Sequence, residues 1–216
     1  MKVDVTGGAF SLAEVVFEQA GETLFAAPGS MVSMAGGVQL KVSLGGGLVR
    51  PLSRRMADQT SIMVKYTADE PGASVMVAPE DPGAVAALDL ATTGPLRVTA
   101  GALLAYQDSI QVSTRITGIS RAAMSGSATV LGARGAGKLL VAASGALKPL
   151  NLAAGERAVV DTGHLVCWSE DIGLRFGPVG GLARAGLSDE GFVGEFTGPG
   201  TLLIQTRKRI PRRRRR

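Results

Sequence analysis

Nucleophilic, metal-binding or acid–base chemistry in this chain would have to run through very few side chains. There is one histidine, His164, and one cysteine, Cys167, three residues further on. Side chains alternate along a strand, so at that spacing the two point to opposite faces, and a metal or catalytic set would need carboxylates from elsewhere, from Asp161, Glu170 or Asp171. Asp161 is near enough in sequence to orient the imidazole. A histidine in an apolar-flanked turn is more often held by a structural hydrogen bond. Cys167, between Val166 and Trp168, reads as a small hydrophobe rather than a nucleophile. Neither a catalytic residue, nor a metal, nor a cofactor is expected on this basis, and the chain is read as a non-enzyme.

Two further near-motifs are weaker still. The run Gly132-Ala133-Arg134-Gly135-Ala136-Gly137-Lys138-Leu139 has the glycines and lysine of a phosphate loop but lacks its full spacing and the Ser or Thr after the lysine, and a strand rather than a helix is expected after it. The triplet Gly45-Gly46-Gly47 reads as a turn. The acidic pairs Glu80-Asp81 and Asp189-Glu190 lie among turn residues and are expected to be solvated loop charges.

The cations carry more information. The chain has 23 Lys+Arg against 18 Asp+Glu, a net charge of +5, which taken whole suggests a polyanionic partner or a membrane surface. Eight of those cations, Arg207, Lys208, Arg209, Arg212, Arg213, Arg214, Arg215 and Arg216, lie in the last ten residues, so the remaining 15 leave the first 206 residues near −3. Pro211 interrupts any ladder there, and residues 207–216 read as a disordered basic tail. Such a tail binds nucleic acid by counterion release or an anionic membrane surface at roughly 1 kcal/mol per basic residue. Without aromatics to stack on bases, weak and non-specific binding is the most expected of it.

The elements that must position these groups are strands. Apolar residues form 45% of the chain, aromatics only 4%, and 30 residues are glycine. No apolar run approaches the length of a spanning helix, the first residues lack an apolar signal core, and a lone cysteine makes no internal disulfide. The chain is therefore read as cytoplasmic and without a transmembrane segment. Val38-Gln39-Leu40-Lys41-Val42-Ser43-Leu44 alternates strictly, and Ile110-Gln111-Val112-Ser113 does so more briefly. Turns every eight to twelve residues point to an all-β sandwich or barrel.

A pattern recurs three times. A turn glycine precedes Gly29-Ser30-Met31-Val32, Gly101-Ala102-Leu103-Leu104 and Gly163-His164-Leu165-Val166, where Gly29, Gly101 and Gly163 are read as structural turns. Connectors follow with an arginine at matched places, Arg54, Arg121 and Arg184. Glycine turns then lead into Val75-Met76-Val77, Leu139-Leu140-Val141 and Leu202-Leu203-Ile204. Residues 1–206 are thus read as a single β domain of three internal repeats, about 13–79, 87–147 and 150–206. The three arginines are a candidate ring for an anion or for carboxylates across a subunit interface. Leu48, Leu52, Ile119, Met124, Leu182 and Leu187 give the connectors an apolar side, with one or two helical turns at most, suited to an oligomer contact.

Several segments resemble a known family. Ala26-Ala27-Pro28-Gly29-Ser30-Met31-Val32-Ser33-Met34, Val160-Asp161-Thr162-Gly163-His164-Leu165-Val166, and Phe196-Thr197-Gly198-Pro199-Gly200 with Ile204-Gln205-Thr206-Arg207 are similar to the altered-inheritance-of-mitochondria protein 24 family. Bacterial members are described as similar in fold to the tryptophan RNA-binding attenuator protein, and eukaryotic members are associated with mitochondrial inner-membrane organisation. The resemblance implies an attenuator-like β fold, a tendency to assemble and no established catalysis. The expected function is a non-enzymatic β scaffold or interaction protein acting as a homo-oligomer, with a trimer favoured. The alternative is a nucleic-acid-binding regulator that uses the basic tail with the attenuator-like fold, a reading that rests in part on fold analogy.

Overall fold

The computed structural model describes residues 1–44, 62–115, 129–178 and 192–209. After an opening strand, Lys2–Thr6 (β1), the strands fall into three blocks of six. The first holds Leu12–Val16 (β2), Thr23–Ala26 (β3), Met31–Ala35 (β4), Val38–Leu44 (β5), Ile62–Ala68 (β6) and Ser74–Val77 (β7). The second holds Val85–Asp89 (β8), Leu96–Thr99 (β9), Leu103–Gln107 (β10), Ile110–Arg115 (β11), Val130–Gly135 (β12) and Lys138–Ala142 (β13). The third holds Leu147–Leu152 (β14), Arg157–Asp161 (β15), Leu165–Ser169 (β16), Gly173–Pro178 (β17), Phe192–Thr197 (β18) and Gly200–Gln205 (β19). A four-residue helix, Leu90–Thr93 (α1), follows β8 and is capped by the Asp89 carboxylate, which accepts from the Ala91 amide.

Pairing is antiparallel and follows one scheme in all three blocks. The sixth strand pairs with the first and the third (β7 with β2 and β4, β13 with β8 and β10, β19 with β14 and β16). The fifth pairs with the second and the fourth (β6 with β3 and β5, β12 with β9 and β11, β18 with β15 and β17). Even the irregularities match, since the third strand is bulged between Met31 and Ser33, between Leu103 and Ala105, and between Leu165 and Cys167. A bulge adds one residue on one strand and locally raises the twist.

The blocks are joined by two further pairings, β3 with β10 and β9 with β16. Each internal sheet is therefore made of three strands from one block and three from the next, in the orders β5-β6-β3-β10-β13-β8 and β11-β12-β9-β16-β19-β14. The outer sheets are β1-β2-β7-β4 and β15-β18-β17. Three apolar cores fill the gaps. The first packs Val15, Phe17 and Val75 against Leu24, Leu104 and Leu140. The second packs Leu103, Tyr106 and Leu139 against Val98, Leu131 and Val166. In the third, Trp168 and Leu202 meet Val160 and Phe196, with the Trp168 and Phe196 rings edge-on at 5.9 Å. The central strands β10, β13 and β16 of the internal sheets are buried almost throughout, which is the reason they read as near-continuous apolar runs.

The all-β expectation holds, with two corrections of detail. No closed barrel forms, because every sheet among the described residues ends in open edges. The apolar face expected for Val38–Leu44 is covered only in part, since Val38 packs on the first core while Leu40 and Val42 stand exposed on an edge strand. All three matched glycines lie in turns, and of them only Gly29 has positive φ, at +79°. Gly101 and Gly163 sit in 3-10 turns, where the space over the Cα is taken by the Arg209 and Lys208 side chains, whose Cδ and Cγ lie 3.1 and 3.2 Å from where a Cβ would be.

Candidate functional site

The groups with chemical potential are held in structural contacts. His164 closes the 3-10 turn Thr162–His164, and its Nδ1 lies 2.7 Å from the Gln205 carbonyl oxygen. Asp161 does not orient the imidazole. Its Oδ1 accepts from the Gly163 amide at 2.7 Å and its Oδ2 from Lys208 Nζ at 2.7 Å. Cys167 is buried in the second core, and desolvation pushes its thiol up to about 12, far from a reactive thiolate at neutral pH. No group of three or more metal-ligating side chains occurs among the described residues.

Gln205, at the end of β19, was not singled out in the sequence. Its side chain is buried, with Oε1 accepting from the Ser144 amide at 2.9 Å and Nε2 donating to the Gly163 carbonyl at 2.8 Å. It therefore ties the end of the second block to the turn before β16. The only sequence sign was a polar residue in phase with the partly buried Leu203, too weak to separate it from a solvated strand end.

The cations divide into engaged and outlying groups. Arg134 makes a two-pronged pair with Glu170 at 2.8 and 2.7 Å, and Glu170 is also 4.0 Å from Arg97. Lys138 pairs with Asp89 at 2.9 Å, so the glycine-rich run before it is a turn that carries the chain from β12 in one sheet to β13 in another, with its lysine committed. The basic tail does not begin at 207 as the charge run suggested. The Arg207 amide donates to the Ser144 carbonyl, Lys208 pairs with Asp161, and Arg209 Nη2 donates to the Ala142 carbonyl. The aliphatic stems cover Gly101 and Gly163, which is enough to carry the chain onto the body three residues further than its charge implies. Burial pulls the Arg209 guanidinium below its usual range, opposed by the nearby Asp81 charge. Arg212, Arg213, Arg214, Arg215 and Arg216, and the matched Arg54, Arg121 and Arg184 with their connectors, lie outside the described residues.

The remaining feature is a contrast between equivalent strands. In the second and third blocks the third strand is covered: Leu103, Leu104, Ala105 and Tyr106 are buried in β10, as are Leu165, Val166, Cys167 and Trp168 in β16. In the first block every residue of β4 is exposed, with Met31, Val32 and Met34 at 41%, 54% and 47%. The second strand shows the converse. β3 and β9 are mostly buried, whereas β15 exposes Arg157 and Val159, the latter at 66%. The uncovered strands are the two that lack a neighbouring block, β4 at one end of the stack and β15 at the other.

The protein is similar over nearly its whole length to an uncharacterised protein of Streptococcus pyogenes serotype M6, with 28% identity over 205 residues, covering 91% of this chain and 82% of the relative. A crystal structure of a Streptococcus pyogenes protein superimposes with a TM-score of 0.76 at 24% identity, covering 96% of this chain and 94% of the other, so the fold is shared. The model of the mitochondrial biogenesis AIM24 family matches residues 3–207, from β1 to the segment that docks after β19, and the chain belongs to that family.

Proposed function

We propose that this chain is a non-enzymatic β scaffold that works by assembling with protein partners, and that its working form is an oligomer. The observation that carries the reading is the apolar strand β4, exposed along its length on an open sheet edge. Unpaired edges invite strand addition, and proteins that must not pair there blunt them with charge or proline. Other edges here are blunted in that way: β14 carries Lys148 and Pro149, and β1 carries Lys2 and Asp4. β4 is Met-Val-Ser-Met-Ala, with neither. The histidine, the cysteine and the best-placed ion pairs are meanwhile committed to holding the fold, which supports an interaction role over turnover.

Light scattering on the full chain, eluted from a sizing column over a concentration series, tests the reading. The expected mass exceeds that of a single chain. A single-chain mass throughout would sink it.

A further inference from the structure

Resting on the oligomer reading, we infer that the partner at β4 is β15 of a second copy of the same chain, joined in antiparallel register with Met34 opposite Val159. The two edges are complementary halves of one recurring sheet. Inside the chain, a second strand always meets the third strand of the following block, β3 with β10 and β9 with β16. Among the described strands one such pairing has no counterpart: β15 has no third strand beside it and β4 has no second.

The register follows from the two internal junctions. At the first, Ala105, Tyr106 and Gln107 face Ala26, Phe25 and Leu24. At the second, Cys167, Trp168 and Ser169 face Val98, Arg97 and Leu96. The matched bulges align Ser33, Met34 and Ala35 with those third-strand residues. Pairing with the fifth strand aligns the second strands: Val160 with Val98, because both sit one residue before the last strand position ahead of a 3-10 turn, and Val159 and Ala158 with Arg97 and Leu96. Ser33 then faces Val160, Met34 faces Val159 and Ala35 faces Ala158.

The chemistry at those places is compatible. Met34 and Val159 take the place of the Tyr106 and Phe25 rings, stacked at 5.2 Å at the first junction, and both are among the most exposed apolar side chains in the molecule. Backbone bonds flanking the internal junctions have equivalents here. The Ala27 amide donates to Leu104, and the Asp108 and Glu170 amides donate to Thr23 and Pro95; between copies these become Asp161 to Val32 and Gly36 to Arg157. The joined sheet has the order β17-β18-β15 of one copy followed by β4-β7-β2-β1 of the next, the same three-plus-three arrangement as the internal sheets with β1 added at the rim. Because different patches meet, the contact is heterologous: each copy leaves one edge free for the next, and the assembly grows head to tail, into a ring where the rotation between copies closes and a filament where it does not.

Met34→Glu and Val159→Lys each place a charge in the contact while altering a side chain that is solvent-exposed in the single chain, so circular dichroism and thermal unfolding at low concentration should match the unaltered protein. The expected result is that each variant falls to single-chain mass by light scattering, and that combining the two restores assembly. Independently, Ala35→Cys with Ala158→Cys should form a ladder of disulfide-linked chains without reductant, since facing residues in such a pair hold their Cβ atoms about 4.5–5.5 Å apart. Neither cysteine alone should do so. If the protein is oligomeric but both charged variants keep their mass and the cysteine pair gives no ladder, the β4–β15 contact is wrong while the oligomer reading stands. If Ala35→Cys alone cross-links, β4 meets β4, and the head-to-tail contact is overturned. If the unaltered chain is single at every concentration, both readings fall.

Discussion

β16 and β4 occupy the same place in the pairing scheme, share the same bulge and lie beside equivalent sixth strands, yet one is the most deeply packed strand of its block and the other is bare. What separates them is the neighbour. β16 is flanked by β9 of the preceding block, while β4 is the first of its kind and has no preceding block to flank it. Burial here is a property of position in the stack rather than of the strand itself, as in other arrays where each unit contacts only its neighbours and the terminal units are atypical.

The largest expected difference comes from deleting a matched side chain in each strand. Trp168→Ala removes a ring that is 1% exposed and packed on Phe196, at a cost of about 3–5 kcal/mol in chemical denaturation. Met34→Ala, at the aligned position, should cost no more than about 0.5 kcal/mol in the dilute chain. Equal costs would mean that β4 is covered within a single chain.

Thiol accessibility sharpens the same contrast. Ser33 and Cys167 are aligned by the bulge, so Ser33→Cys compares one chemical group in the two settings. The new thiol should react with a thiol reagent about 100-fold or more faster than Cys167, the factor that corresponds to an opening cost of roughly 3 kcal/mol at the buried site. If β4 pairs with β15 of another copy, that reactivity should fall as the protein concentration rises.

Alkaline titration reads the buried side of the comparison. The Cys167 thiol is raised from 9.0 to about 12 by burial, so folding retains a proton that the unfolded chain releases first. Its stabilising contribution is complete below pH 9 and is lost as pH climbs toward 12. Burial raises the Tyr66 and Tyr106 phenols from their ordinary 10.0, so they act in the same direction. Cys167→Ala should therefore flatten the decline of stability between pH 9 and pH 11, judged against its own value at pH 7. An unchanged slope would assign the decline to the tyrosines.

The ties across block boundaries come next. Gln205→Ala leaves the Ser144 amide and the Gly163 carbonyl without their partners and should cost about 1–3 kcal/mol. Truncation before Ile210 spares every described contact of Arg207, Lys208 and Arg209 and should leave the melting temperature unchanged, whereas truncation before Arg207 should lower it. Only a small effect is expected of Arg134→Ala. Its pair with Glu170 bridges the second and third blocks with the guanidinium exposed, where solvent screens the attraction, so the loss should shrink further at high salt.

How much of this was legible depended on whether the signal was local. The glycine turns ahead of Val75, Leu139 and Leu202 marked β7, β13 and β19, because a tight turn and an apolar run are both written in consecutive residues. The docking of Arg207–Arg209 was missed because charge in sequence speaks for solvent, while the stems of Lys208 and Arg209 pack on glycines more than 40 residues away. Gln205 was missed for a similar reason, its partners Ser144 and Gly163 lying 61 and 42 residues away. The alternation of Val38–Leu44 was read correctly as a strand, but alternation says which residues share a face and not whether anything covers that face.

Composition and spacing by themselves determined the β class, the turn positions, the scarcity of reactive groups and the concentration of positive charge at one end, since each depends on residue type and short-range geometry. Tertiary structure alone decided which of three matched strands would be buried. Met31-Val32-Ser33-Met34 and Leu165-Val166-Cys167-Trp168 are both apolar enough for a core, and only pairing with a second strand of a preceding block, which β16 has and β4 lacks among the described residues, turns an apolar strand into a core strand.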